Sequence, residues 1–249
     1  MENKGIVVEH LKKSYKNVAV LKDVSFEVEA GTIFALLGKN GAGKTTAINI
    51  LTTLTKDDGG VASIDGIEVS KAPHRIREKI SLTGQFAAID RVLTARENLK
   101  LIADLRHIKN PNKTVQQLLE QFNLTDAADR RVATFSGGMG RRLDIAMSLI
   151  GSPSVVFLDE PTTGLDPEAR NDMWDTIRAL AKKGTTIFLT TQYLEEADVL
   201  ADRIAILHKG KIVAMGSAND LKQLLPKGSK SPTLDDVFLT ITKEQKEGK

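Results

Sequence analysis

A chain of 249 residues that is 41% hydrophobic can bury a substantial core, and the single copy of each motif described below points to one unit rather than a tandem pair. Its 35 lysines and arginines nearly balance 32 aspartates and glutamates, and the net charge of +3 is too small to suggest a nucleic-acid binder. The absence of cysteine excludes a disulfide scaffold and a thiolate metal site, and no stretch reads as a signal peptide or as a membrane span.

In chain order, residues near 5–30 and 61–69 read as strands of a small antiparallel layer, with alternating segments such as Ile6-Val7-Val8 and Val24-Ser25-Phe26-Glu27-Val28. The apolar run 33–37 leads into Gly38-Lys39-Asn40-Gly41-Ala42-Gly43-Lys44-Thr45, and Ala47-Ile48-Asn49-Ile50-Leu51 follows. That is a strand, a loop and a helix matching G-x-x-x-x-G-K-[ST]. The glycines let the backbone curl with its N–H groups inward, and the helix N-terminus adds roughly half a positive charge at the same spot. A glycine-rich turn alone is punctuation. Lys44 as a mobile point charge and Thr45 as a Mg²⁺ ligand make this one a nucleoside triphosphate loop.

A parallel core is predicted over 31–56, 79–85 and 154–216, with a helical insert at 90–152. In the insert, Leu99, Ile102 and Ala103 share one face, Pro111 breaks the chain, and Val115, Leu118 and Leu119 share a face of the next helix. Ser136 is a preferred N-cap, and Leu143, Ala146, Met147 and Ile150 follow at helical spacing, so this segment opens a helix whose free N–H groups can hold an anion. Val155-Val156-Phe157-Leu158 reads as a strand buried on both faces and ends in two carboxylates. Acidic residues also end strands as ordinary loop starts. Paired with the loop at 38–45, Asp159 is placed to hold Mg²⁺ through water and Glu160 to orient and deprotonate an attacking water. Past a loop-like linker at 225–230, Thr233 and Asp236 form a capping box, with Leu234, Val237 and Phe238 on one helical face. A charged tail from Lys243 reads as disordered.

With these residues in place, the chain resembles the ATP-binding cassette ATPases over nearly its whole length. Phe135-Ser136-Gly137-Gly138-Met139 is similar to the cassette signature, usually Leu-Ser-Gly-Gly-Gln, with Met at the last place in many exporters. The resemblance implies an α/β P-loop NTPase fold: a RecA-like core, an antiparallel β subdomain and a helical signature subdomain. It implies a single ATPase domain at 1–225, with the helical part at about 90–152, and a C-terminal extension at 226–249. ATP and Mg²⁺ are the implied cofactors. Tyr15 resembles the aromatic residue that stacks on adenine, although stacking tolerates any base and leaves GTP open. Gly38, Asn40, Gly41, Gly43, Lys44, Thr45 and Thr46 would bind the nucleotide, Thr45, Asp159 and Gln85 the metal, and Glu160, Gln192 and Gln85 would be catalytic. Ser136, Gly137, Gly138 and Met139 would act on nucleotide held by the other subunit of a dimer, and Asp166, in Thr163-Gly164-Leu165-Asp166, resembles the loop that crosses that interface.

Four positions depart from the family pattern. Gln192 stands where histidine is usual, and an amide can donate a hydrogen bond without becoming cationic. Lys39 replaces a common proline, leaving open an extra charge near the phosphates or a solvent-facing side chain. Gly140 replaces a basic residue and should weaken its helical turn, and Phe135 replaces leucine.

Within the family the chain is most similar to the daunorubicin-resistance, multidrug ABC-2 export type. The similarity lies in Arg141-Arg142-Leu143-Asp144 after the signature, Thr94-Ala95-Arg96-Glu97-Asn98-Leu99, Gln192 in its local context, and Pro232-Thr233-Leu234-Asp235-Asp236-Val237-Phe238. This implies a homodimer or paired cassette, peripheral at the cytoplasmic face of the membrane, bound to a separate integral ABC-2 type permease and to no nucleic acid. Solvent-facing residues of 86–106, such as Ala88 and Leu93, would meet the permease. The alternatives are an importer or a lipid or polysaccharide exporter, or a soluble cassette acting on DNA or ribosomes.

Overall fold

Three apolar runs, Ile33–Leu37, Val155–Asp159 and Thr186–Thr191, are buried at every position, the condition under which a strand is apolar without alternating. The computed structural model describes residues 4–84, 88–225 and 232–247. Its strands are β1 (Lys4–Tyr15), β2 (Val18–Glu29), β3 (Ile33–Leu37), β4 (Gly59–Ile64), β5 (Ile67–Glu68), β6 (Ile80–Thr83), β7 (Val155–Asp159), β8 (Thr186–Thr191), β9 (Arg203–His208) and β10 (Lys211–Gly216). The helices are α1 (Lys44–Leu51), α2 (Pro73–Lys79), α3 (Ala95–Leu105), α4 (Pro111–Gln121), α5 (Gly137–Ser148), α6 (Pro167–Lys182), α7 (Leu194–Leu200), α8 (Ala218–Lys222) and α9 (Leu234–Glu247).

The strands form one sheet in the order β5-β4-β1-β2-β10-β9-β3-β8-β7-β6. From β9 to β6 every neighbour is parallel, as the α/β reading requires. The reading of 154–216 as wholly parallel needs one correction, because β10 returns antiparallel along β9. A short hairpin at 208–211 leaves no length for a crossover helix, and its pairing through Lys211 and Asp23 then joins the antiparallel layer to the core.

Successive residues of the central strands enter opposite layers. Ile33, Ala35, Leu37, Val156, Leu158, Ile187 and Leu189 face the layer of α3 to α9. Phe34, Leu36, Val155, Phe157 and Phe188 face α1 and the antiparallel strands. Four aromatic rings fill that second layer, with Phe188 at 5.4 Å from Phe34, 5.4 Å from Phe157 and 5.7 Å from Phe26 between centroids.

The insert is helical and locally capped. Thr94 and Glu97 exchange bonds in a capping box, and the buried Asn98 amide donates to the carbonyls of Asp90 and Thr94. Leu99, Ala103, Val115, Leu118 and Leu119 are buried as their spacing predicts, and Pro111 opens α4 at a position where a missing N–H costs nothing. The capping box at Thr233 and Asp236 is present, and Leu234, Val237 and Phe238 of α9 pack into the same apolar cluster as the parallel strands. The helix continues to Glu247, past the Lys243 at which composition reads as a disordered tail. The predicted linker lies outside the described residues except for Leu225.

Phe188 touches aromatic rings from three other strands, so Phe188→Ala is expected to lower stability by about 3–5 kcal/mol. Chemical denaturation checks it: the midpoint should fall with an unchanged slope, and an unshifted midpoint would mean the ring cluster is not a determinant of the core.

Candidate active site

The loop at 38–45 lies between β3 and α1, and its backbone is set by steric limits. A Cβ at Gly38 would sit 2.6 Å from the Leu207 carbonyl oxygen, and one at Gly43, where φ is +112°, would sit 2.7 Å from Leu21 Cδ2. α1 begins directly after Gly43, with no side chain capping it and no acidic residue in its first turn, so its leading N–H groups face the loop's concavity. Lys44 is 5% exposed, and its Nζ donates to Gly38 O at 2.8 Å and lies 3.2 Å from Glu160 Oε1.

β8 connects this loop to the end of β7. Thr190 pairs with Leu36 on one side and with Asp159 on the other, which levels the ends of the three strands. Asp159 Oδ1 accepts from Thr190 Oγ1 at 2.5 Å and Oδ2 accepts from Thr45 Oγ1 at 3.0 Å. Glu160 has φ at 50°, a conformation costing a non-glycine residue on the order of 1–3 kcal/mol, and its N–H donates to Thr190 O at 3.1 Å. Thr163 Oγ1 donates to Glu160 Oε2 at 3.3 Å.

A cavity of about 450 Å³ is lined by Tyr15, Val20, Asn40, Gly41, Gly43, Lys44, Thr45, Thr46 and Glu160. It brings together the predicted nucleotide contacts and the carboxylate predicted to work on water, with Gly38 in the same loop. A larger hollow of about 630 Å³ between the helical insert and the end of α6 carries no carboxylate and no phosphate loop. The oxygen donors for a cation are the Thr45 hydroxyl and the Asp159 carboxylate. Among the described residues no group of three or more His, Asp or Glu could cage a metal. An ion held here would take its other ligands from phosphate and water, which fits Mg²⁺.

Other predicted residues stand elsewhere. Ser136 caps α5, its Oγ accepting from Met139 N at 3.3 Å, and it is exposed with Gly137, while Gly138 is buried against Ala169. None of 136–139 lines the cavity of its own chain. Asp166 caps α6 by accepting from Ala169 N at 2.8 Å. Gln192 follows β8 and lines a neighbouring hollow with Arg170, Trp174, Tyr193 and Asp235. The carbonyl of Thr191 next to it accepts from Gly38 N at 3.1 Å. Gln85 lies outside the described residues. Lys39 does not line the cavity and is exposed, as its solvent-facing alternative expects, and its Nζ stands 5.7 Å from the centre of the Phe238 ring on α9.

Two buried charged groups beside the site stand out in the structure and not in the sequence. Arg141 and Asp144, 9% and 5% exposed, form an ion pair at 3.1 Å on α5. Burial works against both charges, and each partner's charge offsets it for the other. Charged residues three apart among Leu143, Ile145, Ala146 and Met147, all buried, were the available signal. Glu196 is 0% exposed, and its Oε1 accepts from Thr162 Oγ1 at 2.7 Å and from Trp174 Nε1 at 3.3 Å.

Comparison with known proteins places this arrangement. A family model described as ABC transporter matches residues 21–163. The Daunorubicin resistance ATP-binding protein DrrA2 of Streptomyces coeruleorubidus is 48% identical over 227 residues, which cover 90% of this chain and 70% of that protein. A solved ATP-binding subunit of an ABC transporter superposes with a TM-score of 0.82 at 30% identity, over 95% of this chain and 99% of that one. A dimeric ATP-binding cassette in a post-hydrolysis state, bound to ADP and Pi, superposes with a TM-score of 0.76 at 25% identity, over 85% and 98%.

Burial raises the Glu196 pKa above its ordinary 4.5, against the bonds it accepts from Thr162 and Trp174. Between 4.5 and the higher folded value the folded chain binds more protons than the unfolded one, so this group's contribution is complete below 4.5 and is lost as pH rises through that window. Glu196→Gln removes the titration. Its stability relative to wild type is expected to improve steadily as pH is raised above 4.5, read from paired unfolding curves, and a pH-independent difference would contradict the burial account.

Proposed function

The chain belongs to the ABC transporter family and hydrolyses ATP, and from that premise we propose that it powers efflux of a drug-like or amphipathic compound through a separate ABC-2 type permease. The observation that carries the reading is the joining of Lys44, Thr45 and Glu160 at one cavity, with Asp159 bonded to Thr45 behind it and the capped N-terminus of α5 exposed outside it. The resistance to daunorubicin in the relative's name supports the cargo class. Among the described residues no helix is long and apolar enough to cross a membrane, which suits a subunit docked at the cytoplasmic face of its permease.

In this reading Tyr15 stacks on the base, the N–H groups of 38–46 hold the phosphates, and Lys44 neutralises the β- and γ-phosphate oxygens. Thr45, Asp159 and Gln85 would hold Mg²⁺, which when bound would offset the charge of the phosphates. Glu160 accepts the proton of the attacking water at a carboxylate oxygen and orients it, and Gln192 donates an amide hydrogen bond to the γ-phosphate without exchanging a proton. The bond between Gly38 N and Thr191 O at 3.1 Å supports that role, because it keeps the residue after Thr191 next to the loop.

Ser136, Gly137, Gly138 and Met139 then offer the N-terminus of α5 to the γ-phosphate held by a second cassette, with Asp166 near the dyad. A charge-assisted hydrogen bond contributes about 1.5–3 kcal/mol. Two per γ-phosphate at two sites exceed the roughly 5.5 kcal/mol that swings a 1:99 equilibrium to 99:1. Closure with ATP and opening without it follow.

The helical insert exposes apolar side chains suited to a permease. Val92 is 72% exposed, and Leu101 and Leu105 stand one turn apart on α3 at 47% and 66%. Ala88 is exposed as predicted, whereas Leu93 is half-buried, and Val132 N donates to its carbonyl at 2.9 Å, tying that stretch to the insert. Val92→Glu with Leu101→Glu is expected to leave ATP hydrolysis by the isolated chain unchanged and to abolish co-purification with the permease from membranes. Unimpaired association would place the membrane contact elsewhere.

A further inference from the structure

Arg141 joins the signature helix to the ends of β6 and β7 through three of its four hydrogen bonds. It lies on α5, the helix that Ser136 caps, and is buried. Its Nε donates to Pro161 O at 3.0 Å and its Nη2 to Asp159 O at 3.3 Å. Its Nη1 donates to Gly84 O at 2.8 Å and to Asp144 Oδ2 at 3.1 Å. The other carboxylate oxygen of Asp144 accepts from Ala88 N at 3.3 Å.

Pro161 and Asp159 are the neighbours of Glu160 in the chain, so a single planar cation grips the carbonyls on both sides of the residue whose φ is 50°. That residue cannot relax toward ordinary backbone angles without breaking a charge-assisted bond, and the fork geometry of a guanidinium leaves little play between the two. A pair serving stability alone would need only Arg141 and Asp144 to satisfy each other. Here three of the four donated bonds go to backbone carbonyls, two of them flanking Glu160.

We propose that Arg141, held in place by Asp144, is a positioning residue for hydrolysis: it fixes the backbone turn that aims Glu160 and makes that aim depend on the placement of the signature helix. Ser136 and Arg141 share α5, so whatever Ser136 contacts across a dimer is felt at Glu160 of its own chain. The two nucleotide sites of a dimer are thereby coupled through one side chain. The inference rests on Glu160 being the residue that works on the attacking water.

The test is a mutant cycle on the full chain, measuring kcat and KM for ATP. Glu160→Gln alone checks the underlying reading, which fails if turnover is retained. Arg141→Gln is expected to lower kcat by about ten-fold or more, equivalent to one lost charge-assisted hydrogen bond, with KM changed by less than about two-fold. In the Glu160→Gln background the same change should lower the residual rate by less than about two-fold, because the group being aimed is gone. Arg141→Gln leaves Asp144 buried without its partner and is expected to lose stability. Arg141→Gln with Asp144→Asn has no such charge: its unfolding midpoint should recover while kcat stays low. Recovery of kcat in that double variant, or equal losses in both Glu160 backgrounds, would reduce Arg141 to a structural role. Retained turnover in Arg141→Gln beside a dead Glu160→Gln would overturn the positioning role alone.

Discussion

The site depends on β8 lying between β3 and β7 in register. Thr190 is the hinge of that alignment, opposite Leu36 on one strand and Asp159 on the other, and it donates to the carboxylate it faces. Lys44 and Glu160 come within 3.2 Å, and Thr45 and Asp159 within 3.0 Å, because the loop after β3 and the turn after β7 leave the sheet at the same level. A one-residue slip would turn each side chain to the opposite layer and separate the phosphate loop from its carboxylates. The alternation that assigns Leu37, Val156 and Leu158 to one layer and Phe34, Phe157 and Phe188 to the other is what prevents the slip.

A rigid sheet also allows strain to be held at its edge. Glu160 sits in the left-handed region directly after five buried residues, and its N–H is engaged by Thr190 while the carbonyls around it are engaged by Arg141. Bulky residues leave that region unless their surroundings over-determine them. The surroundings here come from β8 and α5 at once, so the turn at Glu160 is defined by the core and by the helical insert together. The insert is anchored by its own caps and by Arg96 on Asp129 at 2.7 Å, and it need not borrow order from the site.

Much of this was readable locally. The loop at 38–45, the Ser136 cap, the capping box at Thr233 and the buried faces of α3, α4 and α9 each follow from residue types within a few positions of one another. What the sequence withheld is long-range. The antiparallel return of β10 depends on which strand edge is free, and the partner of Lys39 is a ring on the last helix. Arg141 looked like one of two adjacent arginines in a family motif, and nothing local says that its neighbour Arg142 faces Asp172 on α6 while it enters the core. Glu196 sat in a run of two glutamates of which one is exposed and one has no exposure at all.

The residues of 136–139 lie outside the cavity of their own chain while resembling a phosphate-binding segment, and the proposed composite site between two cassettes is the account of that separation to be tested. Subunit mixing addresses it most directly. Lys44→Ala and Ser136→Arg chains should each be inactive alone, since every site in either homodimer lacks one half. Mixed, they form dimers in which one site has both defects and the other has neither. The account predicts that ATP hydrolysis reappears on mixing, and no recovery in a mixture shown to contain such dimers would contradict the composite site.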